Sequence, residues 1–154
     1  MIRAALAEKR VFQSWLDYQE ALKRAIRPLL AEQLRHRPLP GRRTPGEVAE
    51  HIVFGRALHL HRALGDAAAT VVQFISWNDV DAPSRSAEEI VQGLELTWQV
   101  IARSVTRGDP TDEIPIGADG ESAQVVWGLL DHDLPHAGQL SLLLRANGLP
   151  GVEV

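Results

Sequence analysis

Cysteine is absent from the 154 residues of this chain. Disulfides and thiolate ligands are therefore excluded, and any metal must be held by imidazole or carboxylate. An excess of basic charge is missing too, the formal net charge being -4. Nucleic acid and anionic membrane surfaces are met by a basic face, and the pair Arg42-Arg43 is too small to reverse the balance, so neither is an expected partner. No window approaches the roughly eighteen apolar residues of a membrane-spanning helix. The run Met1-Ile2-Arg3-Ala4-Ala5-Leu6-Ala7-Glu8-Lys9-Arg10 meets charge before an apolar export core can form, and a cytoplasmic protein is expected. Strand-like alternation and a repeat of fixed period are also wanting. A hydrophobic content of 45% over this length supports one core but not two, which predicts a single domain over residues 1–154.

What the sequence does contain is helical periodicity. Val11, Trp15, Tyr18, Leu22, Ala25 and Leu29 recur in steps of three and four, predicting a first helix from about Ala7 to Leu34 that kinks or breaks just before Pro28. Thr44-Pro45-Gly46-Glu47 carries a capping box and opens a second helix, Pro45 to Leu64. Residues 65–84 fit either a helical extension or an extended run, with Ser76-Trp77-Asn78-Asp79 as a turn. Ser86-Ala87-Glu88-Glu89 caps a third helix bearing Ile90, Leu94, Trp98, Ile101 and Val105, which Gly108-Asp109-Pro110 should end. Thr111 to Gly120 reads as an exposed loop with room for a short hairpin. A last helix follows from about Ser122 to Ala146, stopped by Asn147-Gly148 and expected to bend at Pro135. Four long amphipathic helices predict an all-α four-helix bundle, with residues 65–84 long enough to cross it between the second and third.

Chemistry concentrates in Asp131-His132-Asp133-Leu134-Pro135-His136-Ala137-Gly138-Gln139-Leu140. On a helix His132 and His136 stand at i and i+4, roughly 5–6 Å apart, close enough to share one cation. They occupy an inward seam with Val125, Leu129, Leu140 and Leu143, where unpartnered imidazoles would cost on the order of 1–3 kcal/mol each. A metal would supply the partner; so would hydrogen bonds to each other, to Gln139, to acidic residues or to trapped water. His51, among the apolar positions of the second helix, is the third candidate, and three histidines leave a coordination position open, as reactive sites do. His59 and His61 lie roughly 12 and 15 Å further along that helix, too far to join the same ion, and His36 belongs to a solvated loop. Glu47 could orient His51 but fits its capping role better. Asp131 and Asp133 turn away from the seam and are expected in water. Gln139 could orient a bound water or make a hydrogen bond within the bundle, and Trp77, Asn78 and Asp79 could border the pocket mouth or form an ordinary packed turn.

Thr44-Pro45-Gly46-Glu47-Val48-Ala49-Glu50-His51-Ile52, then His132-Asp133-Leu134-Pro135-His136-Ala137-Gly138-Gln139-Leu140 and Leu144-Arg145-Ala146-Asn147-Gly148, together resemble the DinB superfamily of bacterial four-helix bundles. The resemblance covers nearly the whole chain in helix order, with its specific motifs on the second and fourth helices. It implies a divalent metal, zinc or nickel, on His51, His132 and His136. It further implies a homodimer and a small-molecule substrate, a low-molecular-weight thiol being the cosubstrate of the thiol-dependent S-transferases in the superfamily. Pro135 departs from the superfamily's commoner pattern. The enzyme this suggests activates water or a thiol, in S-transferase or hydrolase-like chemistry, and no catalytic residue beyond the ligands is assigned. The rival reading is a non-catalytic, metal-free binding module of the same fold.

Overall fold

The computed structural model describes residues 2–105 and 121–154, with side chains described over 11–104 and 127–154. The described residues are helical and contain no strand. Helix α1 (Ile2–Ile26) presents Trp15, Tyr18, Leu22 and Ile26 to the core, while Val11, assigned to the same seam by its spacing, is exposed. Pro28 cannot donate to the carbonyl of Arg24, and the helix ends two residues before it. A five-residue helix α2 (Ala31–Arg35) resumes beyond the break. The ring of Trp98 lies 5.3 Å from that of Trp15, edge to face, and 5.5 Å from that of Phe12, stacked.

Helix α3 (Pro45–Leu64) begins at the expected residue because both halves of the capping box form. The hydroxyl of Thr44 accepts from the Glu47 amide at 3.1 Å, and Glu47 accepts from the Thr44 amide at 2.7 Å. Glu47 also pairs with Arg37 at 3.0 Å, so its carboxylate serves the helix start rather than His51. Val48, Ala49, Ile52, Val53, Ala57 and Leu60 are buried along α3, which packs against α2, α4, α5 and the segment that follows it.

Residues Gly65–Asn78 continue from α3 as a helix, but of the 3-10 kind, which takes in Ser76, Trp77 and Asn78 of the expected turn. Its apolar residues explain why: Ala68, Val71 and Phe74 are buried and Trp77 packs against the core, in steps of three. A helix with three residues per turn puts all four on one face, which an α-helix would spread over about half its circumference. The segment lies along α3 and α4, and the chain turns at Asp79–Ala82.

Helix α4 (Ala87–Val105) starts from Ser86, whose hydroxyl accepts from the Glu89 amide at 3.2 Å, completing the second capping box. The stop at Gly108-Asp109-Pro110 and the loop Thr111 to Gly120 lie outside the described residues, as does the side chain of Val125. Helix α5 (Glu121–Ala146) runs through Pro135 without a break. Both Pro135 and Asp131, whose carbonyl loses its helical donor to the ring, are on the exposed side, where water can replace the missing bond. Gly148, at φ 72°, lets the chain turn past the end of α5.

Candidate metal centre

Helices α3 and α5 pack side by side, and their contact brings His51 against His132 and His136. The ring of His51 lies 5.3 Å from that of His132 and 4.6 Å from that of His136, with 4.7 Å between the latter two. One ring nitrogen from each falls within 4.8 Å of the others. All three side chains are partly exposed, so the cluster is open on one side.

Each ring is held by its Nδ1. That of His51 lies 3.2 Å from Oδ1 of Asn78, that of His136 lies 3.0 Å from Oε1 of Gln139, and that of His132 lies 3.4 Å from Oδ1 of Asp133. All three partners are oxygen acceptors, which places the proton on Nδ1 and leaves the Nε2 lone pair for a ligand. Burial pushes the pKa of His51 down to about 4; hydrogen bonding to Asn78 opposes the shift, and the charge of Arg43 and the neighbouring imidazoles add to it. His51 is thus neutral at neutral pH, the form that binds metal. A set of three oriented imidazoles with no cysteine suits a borderline ion such as zinc or nickel, and the residues present fit one.

The close approach of the two helices depends on Gly55, one turn beyond His51. A Cβ there would sit 2.0 Å from Cε1 and 2.2 Å from Nε2 of His132. The imidazole occupies the space that any other residue would fill.

Behind the histidines lies a polar network that the sequence did not reveal. Asp133, expected in water, is 0% exposed and faces Arg56, which is also 0% exposed. Nε and Nη2 of Arg56 both stand 2.7 Å from Oδ2 of Asp133. Nη1 of Arg56 donates to Gln19 at 2.7 Å, Gln19 donates to the Leu94 carbonyl at 3.1 Å, and the Tyr18 hydroxyl donates to the Asp133 carbonyl at 3.0 Å. Asp133 thereby joins His132 to a buried guanidinium, the carboxylate–histidine arrangement that fixes a ligand's orientation and basicity. The sequence centred the seam of α5 on His132 and His136, but the buried face runs through Leu129, Asp133, Ala137, Leu140 and Leu144, with the two histidines at its edge. The signal in the sequence was Arg56, a charge amid the apolar run of α3 from Ile52 to Leu60 that required an acidic partner.

Of the remaining candidates, His59 packs its ring 5.8 Å from that of His132 but is not among the converging ligands. Burial, reinforced by the neighbouring imidazole, lowers its pKa. His36, His61 and Asp131 are exposed. Trp77 packs against Phe74 and under Arg85 instead of lining the cluster, and Asn78 alone of the turn residues reaches it.

No family model, no curated protein and no solved structure matches this chain.

Proposed function

We propose that this chain is a DinB-like four-helix bundle whose His51, His132 and His136 hold zinc or nickel in a reactive site. The bundle would consist of α1, α3, α4 and α5, with the 3-10 segment as the crossover between α3 and α4. The observation that carries the reading is the convergence of the three ring nitrogens within 4.8 Å while each Nδ1 is engaged elsewhere. Hydrogen bonds between the rings, or to Gln139, acidic residues or trapped water, were the rival explanation for imidazoles on an apolar seam. The rings bond to Asn78, Asp133 and Gln139, so hydrogen bonds to Gln139 and to an acidic residue account for one nitrogen of His136 and of His132, while Nε2 of each ring is left for a ligand.

A divalent ion in this site supplies Lewis acidity, favouring the deprotonated form of water or of a low-molecular-weight thiol. The absence of cysteine means that a thiol must arrive as a cosubstrate. The protein's part is to orient the imidazoles through Asn78, Gln139 and the Asp133–Arg56 pair, to keep His51 neutral by burial, and to leave one side open to a small molecule. S-transfer or hydrolysis is the reaction class that follows. A homodimer would bury Trp127 and Leu134, apolar residues 60% and 54% exposed on α5.

The test is metal analysis of protein purified without an affinity tag. Near-stoichiometric zinc or nickel, lost in both His51→Ala and His136→Ala, is expected, with a melting temperature that rises on adding metal. Wild-type protein that binds no metal, and melts at the same temperature with and without it, would identify the metal-free module instead.

A further inference from the structure

A cleft of about 610 Å³ leads from the histidines to the surface, lined on its inner side by His51, His136 and Gln139. Leu39, Val48, Leu142 and Leu143 give it apolar walls, and Arg42 and Arg43 stand on its rim. No carboxylate lines it. Among the described residues neither arginine has an acidic partner, whereas the nearby Arg37 is committed to Glu47.

The loop that carries these arginines is held in place. Gly41, at φ 70°, sits in a turn closed by the Arg42 amide donating to the Leu39 carbonyl at 3.2 Å. Arg37 donates to the carbonyl of Arg42 and to the carboxylate of Glu47, tying the loop to the start of α3. Arg43 is close enough to His51 for its charge to disfavour protonation of that ring. Two unpaired guanidiniums on a backbone tied to the start of α3, beside an apolar wall, have the chemistry of an anion site.

We infer that the substrate or cosubstrate of the histidine site is a small organic anion, its charged head group on Arg42 and Arg43, its apolar middle on Leu39, Val48 and Leu142, and its reacting end at the histidines. This inference rests on the proposed metal site. A carboxylate and a phosphate monoester share the required chemistry, and the guanidinium fork takes either.

The test uses zinc-loaded full-length protein and three probes: 6-mercaptohexanoate, its neutral methyl ester, and 6-mercaptohexyl phosphate. Affinities are measured by titration calorimetry and zinc by elemental analysis. At least one anionic probe is expected to bind about tenfold more tightly than the ester, the stronger anion identifying the head group. In the double variant Arg42→Gln/Arg43→Gln that preference should fall to about twofold or less, with bound zinc unchanged and the preference in wild type weakening as salt is added. Equal affinities for acid and ester, a preference that survives in the double variant, or no binding of any probe to zinc-loaded protein would overturn the anion site while leaving the metal centre intact. Failure to retain zinc at all would overturn both, and elemental analysis separates that case from the others.

Discussion

Gly55 does more for the candidate centre than its lack of a side chain suggests. Because a Cβ at this position would meet His132 Cε1 at 2.0 Å, Gly55→Ala must push the imidazole out of line or part α3 from α5. The expected outcome is loss of bound metal together with a destabilisation of about 1–3 kcal/mol, read by elemental analysis and urea unfolding. Full metal occupancy in this variant would mean that His132 is not a ligand. The pair Arg56–Asp133 belongs to the same scale. Two fully buried charges cost several kcal/mol each to take out of water, and a well-packed apolar pair would often serve stability as well. Their contact with His132 gives a functional reason for keeping them, since a carboxylate fixed by a guanidinium cannot turn away from the ring it orients.

Among the elements, the 3-10 segment Gly65–Asn78 links architecture to site most directly. Its buried face of Ala68, Val71 and Phe74 fixes the rotation of the segment, and that rotation determines that Asn78, at its last position, meets His51. Asn78→Ala removes an exposed side chain with no core contact, so stability should change by less than about 0.5 kcal/mol. Metal affinity should drop by about tenfold or more, as is usual when the partner of a ligating histidine is lost, and competition with a chelator would measure it. An unchanged affinity would make the hydrogen bond at 3.2 Å incidental. Helix α5 continues through Pro135, because the lost hydrogen bond falls on the solvent side and packing against α3 holds the other.

At the scale of the whole molecule, the proposed homodimer would cover the apolar residues Trp127 and Leu134 on the outside of α5. Sedimentation of the wild type should give a dimer, and Trp127→Glu/Leu134→Glu a folded monomer with its metal retained; a monomeric wild type would dismiss the interface. The all-α class, the bounds of α3 and the break before Pro28 were legible in the sequence, because capping boxes, proline and three-four spacing act over a few residues and need no partner. So were His51, His132 and His136 as a set, since polar groups on an apolar seam require a common explanation. The sequence left open the conformation of residues 65–78, whose period of three gained meaning only where α3 and α4 offered a surface to cover. It left Asp133 in water, because a seam centred on the two histidines is turned from the face that packing buries, which runs through Leu129, Asp133, Ala137 and Leu140. Only the packing of α1 and α3 over that side placed Asp133 on Arg56, and only the approach of α3 to α5 at Gly55 brought three imidazoles from two helices to one point.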